Sequence, residues 1–200
     1  MQSQPNISIC KYSEDPDAYR ELIWDFAKKS IEEGNDSLKK YSARSYDPDD
    51  KNIETWMCFI GDKLISISAA EASHYTNDPD IAVRICRYHI LKEYRFTHCG
   101  LRMGEHQLKW ARQRGFEILY ITHDITKRAI NALYQRKKKM TVKSFNEWTD
   151  SEWYTSLQLE TDFLFKTGPI VQYVYSIRLN DPDFIWKPKS DLIISSDEIT

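Results

Sequence analysis

The strongest chemical signal in the chain lies in residues 87–115, RYHILKEYRFTHCGLRMGEHQLKWARQRG. A strand-like run ends in Glu93-Tyr94-Arg95, a short turn holding Cys99-Gly100 follows, and an amphipathic helix runs on to Gly115. A strand feeding a turn that opens a helix can present free backbone N–H groups to an anion, and the helix dipole adds to the attraction. The segment therefore predicts that the protein holds a phosphate-bearing small molecule. Two side chains nearby could move protons. His89, on the strand, titrates near neutrality, and Glu71 ends an earlier strand. Strand alternation puts Arg87, His89 and Leu91 on one face and Tyr88 and Ile90 on the other.

Other chemistries fit less well. His98 beside Cys99 at a helix start invites a nucleophile reading, because a helix N-terminus lowers the pKa of a thiol. Neighbours in sequence rarely face each other productively, and no third orienting group is evident, so a covalent cysteine mechanism is set aside. The five histidines form no His-x-x-x-His pair, and Cys10, Cys58, Cys86 and Cys99 form no Cys-x-x-Cys pair. Neither a metal site nor a disulfide framework is expected.

The helix that closes the segment is well marked. Leu101, Gly104, Leu108 and Ala111 recur at helical spacing on one face, with Arg102, Glu105, His106, Lys109, Arg112 and Gln113 on the other. Glycine inside a helix costs about 1 kcal/mol against alanine, so Gly104 predicts close packing on a sheet. Arg112 and Arg114 suit the negative end of the dipole, and Gly115 supplies the stop.

On these residues the segment resembles the GNAT superfamily of acyl-CoA N-acyltransferases. The pyrophosphate-binding signature of that family, Arg/Gln-x-x-Gly-x-Gly/Ala, joins its fourth strand to its third helix. The matching stretch is Arg95-Phe96-Thr97-His98-Cys99-Gly100, with His98 where the family usually has its first glycine. The lead-in Leu91–Arg95 and the helix end Trp110–Gly115 are similar as well. A second stretch, Thr126 to Tyr134, is similar to a family helix carrying asparagine, alanine and a Leu-Tyr or Phe-Tyr pair. Ala129 and Leu133-Tyr134 match, Thr126 stands near the asparagine, and Lys138-Lys139-Met140 replaces the usual glycine-phenylalanine.

The resemblance implies an enzyme that passes an acyl group from acetyl-CoA, or a related acyl-CoA, to a primary amine by direct attack. The thioester would lie in the splay between the fourth and fifth strands. Backbone groups near Ile90 and Leu91 would hold the pantetheine arm. The N–H groups of Phe96, His98, Cys99 and Gly100 would hold the pyrophosphate, with Arg95 supporting the loop. A base must take a proton from the amine, and Glu71 or His89 would serve. Tyr134 would protonate the leaving thiolate, since a phenol of pKa near 10 suits a thiolate of pKa about 8.5 or above. Each also has a plain reading: Tyr134 as a helix core residue with a satisfied hydroxyl, Glu71 and His89 as ordinary polar residues.

Bulk properties narrow the classes further. The chain has 200 residues, 41% hydrophobic and 29% charged, which reads as one soluble globular domain with a sizeable core. A net charge of −2 gives no long-range pull toward nucleic acid or an anionic membrane. No apolar run approaches the ~20 residues of a span, and the N-terminus lacks signal-peptide features, so a cytoplasmic protein is expected. The basic run Arg136–Lys139 reads as a solvated helix end, although it could meet the 3′-phosphate of a coenzyme.

Periodicity supplies the frame that positions these residues. Strands are predicted over 7–11, 53–60, 64–72, 81–91, 116–122 and 170–179, with a tight turn at Gly61-Asp62-Lys63. Asp15-Pro16 opens a helix whose face is Tyr19, Leu22, Ile23, Phe26 and Ser30. Residues 35–52 read as a short helix and loop, 126–138 as a helix, 142–145 as a strand, and 156–165 as ambiguous. The predicted class is mixed α/β: a GNAT-like fold with a central, mostly antiparallel sheet flanked by helices. Residues 1–180 are expected to form one domain and 181–200 an extended peripheral tail. Two other functions stay open, a non-catalytic module on the same fold and a nucleic-acid binder using Arg136–Lys143. The acceptor amine and a homodimer are open too.

Overall fold

The computed structural model describes residues 6–34, 53–72, 76, 78, 80–95, 97, 99–124, 160–167, 170–181, 183–190 and 193–194. The expected helix and loop at 35–52, the helix at 126–138 and the strand at 142–145 lie outside the described residues. The chain divides into two compact units, one of residues 1–71 and 86–107, the other of 72–85 and 108–200.

In the first unit, β1 (Ile7–Lys11) pairs antiparallel with β2 (Ile53–Ile60), and β2 with β3 (Lys63–Ala72). The last part of β4 (Ala82–Ile90) lies beside β3, where the Leu91 N–H donates to the Ile65 carbonyl at 3.0 Å. Gly61 takes φ 57°, the left-handed backbone that a two-residue hairpin turn requires. Cys58 pairs with Ser66 while Phe59 pairs with Leu64, so Ile65 is an extra residue that bends β3.

The two faces of this sheet are covered by different helices. Helix α1 (Pro16–Glu32) starts at Asp15, whose carboxylate accepts the Ala18 N–H at 3.2 Å. It buries Ile23 and Phe26 against Tyr12, Met57, Phe59, Leu64, Ile67 and Leu91. Full burial of a side chain such as Ile23 contributes about 1.5–3 kcal/mol. Leu22, expected on that face, is 40% exposed; it lies a third of a turn from Ile23, and the buried stripe is narrower than the sequence suggested. Helix α2 (Cys99–Gln113) uses the opposite face. Its Gln107 Nε2 donates to Ser68 Oγ at 2.7 Å, and its Cys99 meets Cys58, which alternates with Met57 and Phe59. The serines of β3 are thus buried with partners: Ser66 donates to the His89 carbonyl at 2.7 Å.

In the second unit, Ala82–Ile85 of β4 runs parallel to Ile118–Ile121 of β5 (Ile118–Asp124). β5 pairs antiparallel with β7 (Ile170–Arg178), β7 with β6 (Glu160–Thr167), and β6 with β8 (Ile193–Ile194). Residues 160–165 of the ambiguous segment are therefore strand, and 156–159 lie outside the described residues. Residues 181–200, expected as an extended peripheral tail, send Trp186 into the core with Ala82, Ile118, Tyr120 and Val174. The Trp186 and Tyr120 ring centroids are 4.8 Å apart, Pro188 bridges Thr76, and the Arg178 Nε donates to the Phe184 carbonyl at 2.8 Å. The fold is mixed α/β and mostly antiparallel, with β4 and β5 running parallel.

Candidate functional site

The residues singled out by sequence converge on the end of β4 and the start of α2, both within the first unit. Arg87 takes φ 53° inside β4. A left-handed, non-glycine residue in a strand costs on the order of 1–3 kcal/mol and marks functional sites. Beyond it, His89 packs on Phe26 of α1, with ring centroids 5.7 Å apart, and Leu91 joins the same core. Tyr88 and Ile90 face the other way, toward α2. The expected division of the strand into two faces holds for these four residues.

The link into α2 is tightly hydrogen-bonded. A 3-10 turn at Lys92–Tyr94 follows β4, and the Tyr94 N–H donates to the Leu91 carbonyl at 2.9 Å. The Thr97 N–H and hydroxyl both donate to the Tyr94 carbonyl, at 3.0 and 2.7 Å. Lys63 holds this turn from β3, 2.7 Å from Glu93 and over the Tyr94 ring at 4.9 Å. Arg95 is exposed. Phe96 and His98 lie outside the described residues, as does Tyr134.

Cys99 occupies the place where an anion would be held. Cys58, Thr97 and the main chain of Cys99 and Gly100 surround its sulfur and favour the charged form, while burial opposes them. These groups at a helix N-terminus favour the thiolate and pull Cys99 down to about 6. Cys58, buried and acting as the donor, is pushed up. The Cys99 pKa is lower folded than unfolded, so the thiolate adds stability as pH rises above about 6, and this is lost as pH falls through that value. Against Cys99→Ser, which cannot ionise, the native chain is expected to gain about 1–3 kcal/mol between pH 6 and 8.5. Urea unfolding at a series of pH values measures it; a difference that does not change with pH would show that Cys99 stays a thiol.

A side chain at Gly100 would displace one neighbour. A Cβ there would run into the Tyr88 hydroxyl oxygen, while Ile90 Cδ1 would stand 3.6 Å away in ordinary contact.

The two candidate bases are separated. His89 is 8% exposed, on the face covered by α1. Burial first, then the charge of Arg95, hold its pKa below the ordinary value, while Glu33 opposes them. The Glu33 carboxylate accepts the Lys92 N–H at 2.8 Å and stands 4.0 Å from His89 Nε2. Glu71 pairs with Ile53 near the far end of β3. Five residues separate it from Ser66, which bonds the His89 carbonyl, and at about 3.3 Å per residue this is roughly 16 Å of strand. Sequence reasoning missed Cys58 and Glu33. The alternation of β2 could have flagged Cys58; nothing local points to Glu33.

Among the described residues no group of three or more His, Cys, Asp or Glu side chains could hold a metal ion, and no helix is long and apolar enough to cross a membrane.

Mostly antiparallel strand pairing, with β4 parallel to β5, and a strand–turn–helix unit at β4 and α2 define the class of fold. Solved structures give it a name. An acetyltransferase of the GNAT family from Streptococcus pneumoniae superposes with a TM-score of 0.53 at 16% identity, covering 86% of this chain and 99% of its own. A protein described as an N-acetyltransferase, from Lactobacillus plantarum, gives 0.54 at 17% identity, covering 86% and 98%. One described as an acyl-CoA N-acyltransferase, from Klebsiella pneumoniae, gives 0.50 at 16% identity, covering 86% and 97%. The chain has the GNAT fold. No family model matches its sequence, and no curated protein does.

Proposed function

We propose that the protein is an acyl-CoA N-acyltransferase that passes an acetyl or related acyl group from coenzyme A to a primary amine. One observation carries this reading: the Arg95–Gly100 signature falls at the junction of β4 and α2 on a GNAT fold. The solved neighbour from Klebsiella, described as an acyl-CoA N-acyltransferase, supports the same donor.

The diphosphate of the coenzyme is held at the first turn of α2. There the N–H groups of Cys99 and Gly100 meet phosphate oxygens in charge-assisted bonds. By the same reading the N–H groups of Phe96 and His98 would join them, and the exposed Arg95 adds positive charge. Backbone groups near Ile90 hold the pantetheine arm; the Leu91 N–H already has a partner in Ile65. The neutral amine attacks the thioester, a tetrahedral intermediate forms, and a preorganised donor stabilises its charge. Glu71 suits the base role better than His89, which is 8% exposed beneath Phe26. Tyr134 protonates the departing thiolate.

Thermal unfolding with excess acetyl-CoA, with free CoA and ATP as controls, tests the proposal. Ligand at a hundred times its dissociation constant adds about 2.7 kcal/mol, a rise of roughly 5–10 °C for a chain of this size. A rise with both CoA compounds and none with ATP is expected. No rise with any of them would favour the second reading, a non-catalytic module on the same fold. That reading has its own support, because the Cys99 side chain already lies against the main chain that a diphosphate needs.

A further inference from the structure

We propose that Tyr88 is a binding residue for the coenzyme, its phenol donating a hydrogen bond to the diphosphate. The inference rests on the acyl-CoA reading and adds a residue that the Arg95–Gly100 signature does not contain.

The geometry begins in β4. Alternation turns Tyr88 to the same side as Ile90, away from His89 and α1. Its hydroxyl oxygen fills the space that a Cβ on Gly100 would occupy, so the phenol tip lies against the first turn of α2. That turn is where a helix emits its unpaired N–H groups. Tyr88 is nevertheless 48% exposed, so the tip can turn toward an arriving anion without a core rearrangement.

The main chain itself offers the anion less than such a turn usually does. The Thr97 N–H is spent on the Tyr94 carbonyl, and the buried Cys99 side chain shares this first turn. A phenol supplies an O–H beside it and carries no charge below its ordinary pKa of about 10. Glycine at position 100 is then needed because it leaves room for the Tyr88 oxygen.

The test measures the affinity of acetyl-CoA and of S-acetylpantetheine, which lacks the diphosphate, for four chains: native, Tyr88→Phe, Gly100→Ala and the double variant. A hydrogen bond to a charged group predicts that Tyr88→Phe weakens acetyl-CoA binding about tenfold or more, with S-acetylpantetheine unaffected. Gly100→Ala displaces the phenol and is expected to weaken acetyl-CoA to a similar degree. In the double variant the oxygen is gone and Cζ stands 3.5 Å from the new methyl, so the alanine adds no further loss. Unliganded unfolding temperatures check that the folds are intact.

Equal acetyl-CoA affinity for the native chain and Tyr88→Phe overturns the proposal and leaves the acyl-CoA reading standing. Losses that simply multiply in the double variant overturn it as well. A native chain that binds no acetyl-CoA overturns both readings.

Discussion

A Gly100→Glu chain is expected to show no thermal stabilisation by acetyl-CoA at concentrations that saturate the native protein. Two effects act together. The new Cβ meets the Tyr88 hydroxyl oxygen, and the carboxylate beyond it stands at the first turn of α2, where the diphosphate is to be held. Two unit charges 4 Å apart repel by about 4 kcal/mol at the effective dielectric of a protein surface, nearly a thousandfold in affinity. The substitution does not threaten the fold by the same route, because an acidic side chain near a helix N-terminus is favourable when no ligand is present. The unliganded unfolding temperature should therefore stay close to the native one. A Gly100→Glu chain that keeps the full acetyl-CoA shift would place the coenzyme elsewhere on the molecule.

The second large effect is one of stability. Trp186→Ala is expected to cost about 3–5 kcal/mol, the usual range for removing a buried aromatic side chain, and to lower the unfolding temperature by roughly 6–20 °C. Trp186 is 5% exposed and its ring centroid lies 4.8 Å from that of Tyr120, which is itself fully buried in the same cluster as Ile118 and Val174. The neighbouring residue is the control. Ile185 is 73% exposed, so Ile185→Ala should change stability by no more than about 0.5 kcal/mol. Equal effects at the two positions would mean that this segment is the loose tail suggested by its polar, proline-containing sequence.

Trp186 shows where local reasoning stops. Its surroundings, Asp181-Pro182 and Lys187-Pro188-Lys189, have no strand or helix period, and period is the property that lets a sequence declare a buried face. An irregular segment can still deliver one large ring to a core, here to the cluster of Ala82, Ile118, Tyr120 and Val174. Cys58 and Cys99 are a similar case. Each reads alone as a free thiol, and their pairing, with the opposite pKa shifts it causes, exists only because α2 covers the face of β2 that Cys58 shares. His89 was a reasonable base by residue type. Burial under Phe26 and the approach of Glu33 from the end of α1 belong to the packing, and they turn a free imidazole into an enclosed one.

What the sequence by itself determined is local. The glycine at 61 between two apolar runs set the hairpin of β2 and β3, because a two-residue turn needs left-handed backbone there. Asp15-Pro16 set the start of α1, and the apolar spacing of Leu108 and Ala111 set a buried face of α2. The order of strand, turn and helix across residues 82–113 followed from the same short-range rules, and with it the position of Arg95–Gly100 at a helix start. Only the tertiary structure decided what surrounds that start: the Tyr88 phenol over Gly100, the Cys58 thiol beneath Cys99, the left-handed Arg87 and the distance between Glu71 and His89. The reason is physical. Backbone propensities and capping act over a few residues, whereas hydrogen-bond partners, burial and charge at a site are set by chain segments that meet only after the sheet has formed.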